Sequence, residues 1–189
     1  MGVDIPTLCH LKDLAPDGSC RMCVVEQVGG RKGGLPIACG TYAADGMEIL
    51  TRSERVVEAR RFVLDLLLSN HYTNCFVCPS NGKCRLQEYN LEYGVEQTTY
   101  LRGKRQKPGI VDDSNPFFNY KPELCIMCRR CTRTCANFQG RDVISIAERG
   151  FDTVMRPSGD QLWVDSHCES CGNCVEAGPT GARSRKGEK

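Results

Sequence analysis

Cysteine dominates the chemistry that this sequence could perform, because the chain of 189 residues holds 14 cysteines in spaced groups. In chain order the groups are Cys9, Cys20, Cys23 and Cys39; His71, Cys75, Cys78 and Cys84; Cys125, Cys128, Cys131 and Cys135; and Cys168, Cys171 and Cys174. Thiolates and imidazoles at such spacing are ligands for zinc and for iron–sulfur clusters. The pattern therefore predicts several metal sites on one chain.

The first two groups leave the nature of the metal open. Four thiolates spaced C-x10-C-x2-C-x15-C fit a [2Fe–2S] cluster, but zinc also accepts four thiolates. The second group, one histidine and three cysteines, could also be a zinc site when taken by itself. His71 is favoured as a ligand by its place beside three spaced cysteines at the end of a predicted helix.

The third and fourth groups share the tighter spacing C-x2-C-x2-C. The third continues with a further cysteine, whereas the fourth has Gly178 at the corresponding position, directly before Pro179. Tandem copies of this run are typical of a two-cluster [4Fe–4S] ferredoxin unit. Zinc sites usually place a long spacer between pairs of cysteines. We therefore predict iron–sulfur clusters at these two groups.

Composition agrees with a chain held together by metal. Hydrophobic residues make up 40% of the chain and aromatic residues 7%, which is little for a large core. A net charge of +2 is too weak to indicate nucleic acid or an anionic membrane as a partner. The apolar segment 62–68 is too short to span a bilayer, and no signal peptide opens the sequence. We expect a cytoplasmic protein whose thiols bind metal.

Local patterns predict the elements that position the first two groups. An alternating strand leads into GGRKGG at 29–34, which predicts a hairpin turn with 35–40 as the partner strand. Thr51 and Glu54 form a capping-box signature for a helix that continues to Ser69. Its predicted core residues, at helical spacing, are Val56, Ala59, Val63, Leu66 and Leu67.

A second amphipathic stretch predicts packing under the His71 site by Leu86, Tyr89 and Tyr93. Periodicity is then lost until about residue 120. The basic run RGKRQK at 102–107 is either solvated or a docking patch for an acidic partner.

Three arginines lie between the cysteines of the third group. Arg129, Arg130 and Arg133 either steer an acidic partner or solvate the surface.

The four groups, in this order, resemble the N-terminal iron–sulfur region of NAD-dependent formate dehydrogenase large subunits and of [FeFe]-hydrogenases. The iron–sulfur subunit of NAD-linked [NiFe]-hydrogenases and the large peripheral subunit of respiratory complex I share much of it. The resemblance extends from IPTLC at 5–9 to PTGA at 179–182. Three stretches are most similar to the formate dehydrogenase version: DDSNPFFNY at 112–120, CIMCRRC at 125–131 and AERGFD at 147–152.

The resemblance implies an α+β fold with a [2Fe–2S] cluster on the first group and a [4Fe–4S] cluster on the second. The implied units are a truncated β-grasp ferredoxin-like unit at 1–52, a short helical His/Cys3 unit at 53–96, a linker at 97–120 and a bacterial-type two-cluster ferredoxin unit at 121–189. Relatives usually carry a β-hairpin before the IPTLC segment, but only eight residues precede Cys9 here. Either the true start lies upstream, or the β-grasp unit is cut short and leans on a neighbour.

Gly178 affects the third group rather than its own. In two-cluster ferredoxins the fourth cysteine of each run binds the other cluster. Cys135 should therefore complete the set of Cys168, Cys171 and Cys174, and the site that lacks a ligand is the one on Cys125, Cys128 and Cys131. We expect that site to hold a [3Fe–4S] cluster, or a [4Fe–4S] cluster with water or a carboxylate on its fourth iron, in preference to no cluster.

The sequence contains no dinucleotide-binding G-x-G-x-x-G after a strand, no P-loop and no nucleophile with a base partner. We therefore predict an electron-transfer subunit of a cytoplasmic multi-subunit oxidoreductase, without a substrate site of its own. It would relay single electrons between a flavin- and NAD(P)-binding subunit and a formate- or hydrogen-type catalytic subunit. The alternatives are the N-terminal piece of a larger catalytic formate dehydrogenase or hydrogenase polypeptide, and a zinc-binding interaction module.

Overall fold

Short helices and strands alternate with long cysteine-bearing loops. A computed structural model describes residues 2–29, 34–100, 109, 111–159 and 161–187. The helices are α1 (Glu54–Ser69), α2 (Arg85–Tyr93), α3 (Arg130–Gln139) and α4 (Asn173–Glu176). The strands are β1 (Glu26–Val28), β2 (Glu48–Leu50), β3 (Phe118–Tyr120), β4 (Ile144–Ala147), β5 (Val154–Pro157) and β6 (Arg183–Arg185). They pair antiparallel as β1 with β2, β3 with β6, and β4 with β5. The predicted mixture of helix and strand is confirmed.

The predicted hairpin near the N-terminus forms in part. Val24 and Ile37 make an antiparallel bridge, and the Val25 N–H donates to the Pro36 carbonyl oxygen at 3.0 Å. The returning segment does not continue as a strand, because residues Ala38–Gly40 turn into a 3-10 helix. β1 instead pairs with β2, which the sequence pattern did not predict. Turn residues 30–33 lie outside the described part of the chain.

The N-cap of helix α1 lies two residues after the predicted cap, Thr51. Ser53 is the N-cap, and its side chain accepts a hydrogen bond from the Val56 N–H at 3.4 Å. The predicted capping box between Thr51 and Glu54 is therefore wrong. Ser53 is an equally good cap, and it places Glu54 in the first turn, where the helix dipole favours a negative charge.

The buried face of α1 also differs from the prediction. The predicted Val56 is buried, and the predicted Val63 and Leu67 are partly buried against the core. The other buried residues of the helix are Arg60, Leu64, Leu68 and Ser69. Leu66, predicted to be a core residue, is 44% exposed. The periodic pattern was misleading because an arginine occupies one position of the true buried face, and arginine is rarely buried without partners.

Arg60 joins three parts of the chain. It is 1% exposed, and its guanidinium donates to the carbonyl oxygens of Met22 (3.1 Å) and Val24 (2.8 Å). It also donates to the Tyr93 hydroxyl at 2.9 Å. The first cysteine loop is thus attached to both α1 and α2 by one buried side chain.

We expect Arg60→Met to lower the free energy of unfolding by about 2–4 kcal/mol, because three buried acceptors lose their donor. The matched control is Arg52→Met, which removes an exposed ion pair with Glu92 and should cost less than about 1 kcal/mol. Anaerobic urea unfolding followed by circular dichroism measures both. Equal midpoints for the two variants would contradict a structural role for Arg60.

The predicted inward residues of helix α2 are buried, and Leu86 among them lines the cavity of the His71 group. Leu86, Tyr89 and Tyr93 are 1%, 3% and 4% exposed. The Tyr89 hydroxyl accepts a hydrogen bond from the Thr7 N–H at 3.2 Å. The helix therefore supports the first cysteine loop as well as the second.

The C-terminal part has the element order β3-α3-β4-β5-α4-β6, a β-α-β-β-α-β arrangement. β3 lies at the end of the predicted linker, yet it pairs with β6 near the end of the described chain. Trp163 is 1% exposed and makes edge-to-face contacts with Phe118 and Tyr120 in the core of this part. Among the described residues, no helix combines the length and the apolar character that crossing a bilayer requires. The basic run at 102–107 lies outside these residues.

Candidate metal centres

The first cysteine group comes together in the N-terminal loop. Cys9, Cys20 and Cys23 are buried and Cys39 is partly buried. The Cys20 thiol hydrogen-bonds to Cys9, and Cys23 and Cys39 form a second such pair. The structure thus places the four predicted ligands of the first site in one region, as two pairs of thiols.

The electrostatics of this loop favour a thiolate at Cys9, whereas the hydrogen bond to Cys9 raises the pKa of Cys20 and burial raises the pKa of Cys39. The hydrogen bond from the Cys20 thiol lowers the pKa of Cys9 to about 5. The Leu8 N–H donates to Cys20 Sγ at 3.4 Å. The backbone N–H groups of Ser19 and Cys20 donate hydrogen bonds to Cys9 and lower its pKa further. Thiolate character with backbone N–H donors around the sulfurs is the environment that a cysteine-ligated cluster needs.

The second group borders one cavity of about 470 Å³, which all four predicted ligands line. His71 is 7% exposed, and burial lowers the pKa of its imidazole to about 4. Its Nδ1 atom is buried without a hydrogen-bond partner. A neutral imidazole with an unpartnered nitrogen is the form that binds metal. The cavity has room for a group larger than a single ion.

We expect His71→Ala to lower the iron content by up to about four atoms per chain, the content of one [4Fe–4S] cluster. His167, which is exposed, provides the control His167→Ala, in which the iron content should be unchanged.

The pH dependence of the same site gives a second prediction. Because burial lowers the pKa of His71 to about 4, the wild-type imidazole stays neutral at pH 6, and this site should keep its iron between pH 7 and pH 6. Iron analysis of anaerobic preparations measures both effects, and equal iron in the two variants would exclude His71 as a ligand.

The third and fourth groups have the same unusual backbone conformation in their loops. The residues with positive φ are Met127 (57°), Arg129 (59°), Ser170 (56°) and Gly172 (82°). Left-handed backbone costs a non-glycine residue about 1–2 kcal/mol. In both loops it directs an N–H at sulfur, from Met127 to Cys125 Sγ and from Ser170 to Cys168 Sγ, each at 3.4 Å. Only one of the four residues is a glycine, so the residue types carried no sign of this repeat.

The last two groups are brought together in the crossed arrangement. Cys135 borders the same cavity as Cys168, Cys171 and Cys174. A separate cavity is bordered by Cys125, Cys128, Cys131 and Gly178. Burial raises the pKa of Cys128 to about 12 and that of Cys174 to about 11. No aspartate or glutamate is among the described residues that line the Gly178 cavity, so this lining offers no carboxylate for a fourth iron.

Asn115 supports the fourth group, although no sequence pattern had marked it as a functional residue. It is 1% exposed, and its Nδ2 donates to Ser170 Oγ at 2.9 Å and lies 3.9 Å from Cys168 Sγ. Its Oδ1 accepts from the Phe117 N–H at 2.9 Å. The one local signal was an Asn-Pro pair ahead of a strand, which predicts a turn but does not indicate which distant cysteine the asparagine reaches.

Two of the arginines between the cysteines bind within the chain. Arg133 donates to the carbonyl oxygens of Ala15 (2.8 Å) and Cys9, and Arg129 forms an ion pair with Asp17 at 3.1 Å. Arg133 is mostly buried by these contacts, whereas the Arg129 side chain is 47% exposed, so partner steering and solvation stay predictions for Arg129. Asp17 supplies the opposite charge internally, and the arginines hold the first cysteine loop on α3.

The site on Cys125, Cys128 and Cys131 adjoins the other three. Ser19, in the loop of the first site, donates from Oγ to the Cys128 carbonyl oxygen at 3.3 Å. This hydrogen bond joins the incomplete site to the first site. Towards the second site, a Cβ on Gly181 would lie only 2.8 Å from Cys78 Sγ, so the bare backbone abuts that sulfur. Cys174 lines both cavities of the last two groups. The incomplete site is thus central in the arrangement.

These donor sets fit iron–sulfur clusters. All 14 cysteines are free thiols. Within the described ranges, no three His, Cys, Asp or Glu side chains are grouped so that they could hold a single metal ion. The thiols of the last three groups line cavities, with N–H groups directed at sulfur in two of them. The residues present would supply three complete ligand sets and one set of three thiols.

Comparison with known proteins identifies iron–sulfur binding regions at the first two cysteine groups. Residues 1–54 match the model of a 2Fe-2S iron-sulfur cluster binding domain. Residues 60–99 match the NADH-ubiquinone oxidoreductase-G iron-sulfur binding region. The chain is similar to a crystal structure of NAD+-reducing [NiFe]-hydrogenase in the H2-reduced state, with a TM-score of 0.85 and 26% identity over 97% of this chain and 76% of that one.

Curated relatives are similar over nearly the whole chain. A G-type subunit of the NADH-quinone oxidoreductase of Rhizobium meliloti is 38% identical over 96% of this chain and 21% of its own length. The HndD subunit of the NADP-reducing hydrogenase of Solidesulfovibrio fructosivorans is 40% identical over 96% of this chain and 31% of its own. The alpha subunit of the NADPH-Fe(3+) oxidoreductase of Geobacter sulfurreducens is 36% identical over 96% and 21%.

The resemblance predicted from the sequence is confirmed by these relatives. The chain spans only about a fifth to a third of the length of the curated relatives named here. None of those named is a formate dehydrogenase, so the finer similarity to that enzyme stays a prediction.

Proposed function

We propose that this chain, a homologue of iron–sulfur subunits of NADH- and NADPH-linked oxidoreductases and hydrogenases, relays single electrons between other modules of such a complex. When bound, iron–sulfur clusters would each take up and release one electron. The chain's own residues would hold the clusters close to one another on adjoining loops. The proposed partners are a flavin- and NAD(P)-binding subunit and a hydrogen- or formate-type catalytic subunit.

The proposed cofactors follow from the four ligand sets. A [2Fe–2S] cluster would be held by the N-terminal loop and a [4Fe–4S] cluster by His71 with its three cysteines. A second [4Fe–4S] cluster would be held by Cys135 with the fourth group. The site beside Gly178 would hold a [3Fe–4S] cluster or a [4Fe–4S] cluster with a non-protein ligand.

The observation that carries the proposal is the continuity of the sites. Cys9, Cys20 and Cys128 lie in one hydrophobic cluster of buried residues. Cys78 packs against a second cluster, which contains Cys125 and Cys174. Each cysteine group therefore touches the surroundings of the next, as a relay of one-electron carriers requires.

The test is reductive titration of the anaerobically purified chain with iron and sulfide analysis and electron paramagnetic resonance. We expect about 13 iron atoms per chain if the incomplete site holds [3Fe–4S], or about 14 if it holds [4Fe–4S], and uptake of about four electrons. Spin–spin interaction between neighbouring reduced clusters should broaden the signals. A colourless protein that contains zinc would refute the relay and support the zinc-binding alternative.

A second candidate function follows from the lengths of the relatives. Since the chain corresponds to 21–31% of the curated relatives named above, it could be the N-terminal piece of a larger catalytic polypeptide. The mass of the native protein and the reading frame downstream decide between the two. A catalytic domain in the same frame would favour the larger enzyme.

A further inference from the structure

Arg183, the first residue of β6, carries a positive charge into the interior of the C-terminal part. It is 7% exposed, and its guanidinium lies over the rings of Tyr120 and Trp163, 4.6 and 5.0 Å from their centroids. Its Nε and Nη2 atoms are buried and have no hydrogen-bond partner. The aromatic faces offset only part of the cost of burying this charge. A guanidinium so placed needs a negative partner.

The surroundings of Arg183 supply sulfur rather than carboxylate. Arg183 lines the cavity beside Gly178, whose described lining contains no aspartate or glutamate. Burial acts to lower the pKa of Arg183, but the nearby Cys131 and Cys174 raise it above its ordinary value. The negative groups available to Arg183 are therefore the thiolates of this site and whatever they bind.

We propose that Arg183 is the electrostatic partner of the cluster that Cys125, Cys128 and Cys131 would hold, donating its N–H groups to sulfur and favouring the reduced form. The inference rests on the proposed occupancy of this site. One electron enters the cluster from an external donor, and the guanidinium keeps its protons throughout. The cluster becomes more negative by one charge, which a fixed positive charge stabilises.

The position of Arg183 makes the effect selective. Arg183 lines the cavity of the incomplete site and is not among the residues lining the cavity of Cys135, Cys168 and Cys171. It approaches the neighbouring set through Cys174, which borders both cavities, and through Trp163, whose ring lies beneath the guanidinium. The larger shift is therefore expected at the incomplete site, where hydrogen bonds to sulfur and net charge both set the potential.

The test is a redox titration of the full chain followed by electron paramagnetic resonance, with Arg183→Gln and Arg183→Lys compared with wild type. In Arg183→Gln the ratio of reduced to oxidised cluster at the incomplete site should fall about tenfold at a fixed potential. For a one-electron couple this corresponds to a reduction potential lower by about 59 mV. The ratio of reduced to oxidised cluster should fall less in Arg183→Lys than in Arg183→Gln. The control Arg185→Gln removes an exposed arginine of the same strand that pairs with Glu176, and should change the ratio less than about twofold. An unchanged ratio in Arg183→Gln, with the cluster present, would overturn the inference and leave the relay intact.

A measurement on unaltered protein covers the case in which the variants do not fold. Arginine labelled with ¹⁵N in the guanidinium should give a resolved nitrogen coupling to the cluster signal. Arg129 also lines the cavity, so the coupling should persist in Arg129→Lys. A cluster without such coupling would overturn the role of Arg183. A wild-type chain without a cluster at this site would overturn both the occupancy and the inference.

Discussion

Replacing Gly178 with cysteine is expected to turn a three-cysteine iron site into a four-cysteine one. A Cβ built on Gly178 meets nothing closer than the Val175 carbonyl oxygen at 3.4 Å, which is ordinary van der Waals contact. The φ angle of Gly178 is not in the left-handed region, so a side chain introduces no backbone strain there. Because Gly178 also lines the cavity of Cys125, Cys128 and Cys131, a thiol at this position faces the incomplete site.

The expected result of Gly178→Cys is a gain of about one iron atom per chain and loss of the signal that a [3Fe–4S] cluster gives in the oxidised protein. The added thiolate should also lower the reduction potential of this site, because it makes the cluster more negative. Gly178→Ala is the control, since it fills the same space without a ligand. If neither iron content nor potential differs between the two variants, Gly178 does not face the cluster.

Replacing Cys135 is expected to remove a cluster whose other ligands lie more than thirty residues away in sequence. Cys135 lies on α3 one turn after Cys131, yet it borders the cavity of Cys168, Cys171 and Cys174. Cys135→Ala should therefore lower the iron content by up to about four atoms and keep the signal of the incomplete site. Cys125→Ala should give the reverse, because it removes one of only three thiols there. Loss of the incomplete-site signal in Cys135→Ala would show that the ligands are not crossed.

The cysteine groups were predictable because metal ligands are specified by residue type and local spacing. Helix α2 was predictable for a similar reason, since Leu86, Tyr89 and Tyr93 recur at helical spacing and Gly94, in the left-handed conformation, follows the last helical residue. Such signals lie within a few residues of one another. They do not depend on how distant segments meet.

The parts that could not be predicted depend on long-range partners. Arg60 is buried because carbonyl oxygens from the first loop and a tyrosine from α2 surround it. Arg133 is internal because it meets the Cys9 and Ala15 carbonyls, far away in sequence. The sequence around an arginine is the same whether its side chain is exposed or buried among such partners. The apolar periodicity therefore missed Arg60 as part of the buried face of α1. Arg183 was overlooked for the same reason.

The central position of the incomplete site has a consequence for judging samples of this protein. If only that site loses its iron, for instance to oxygen, the chain still keeps about ten iron atoms and most of its colour. The relay would then lack the site that adjoins the other three, although the second and fourth groups pack against one hydrophobic cluster, through Cys78 and Cys174. Such a preparation would pass an iron assay as largely intact while lacking one of its four one-electron carriers.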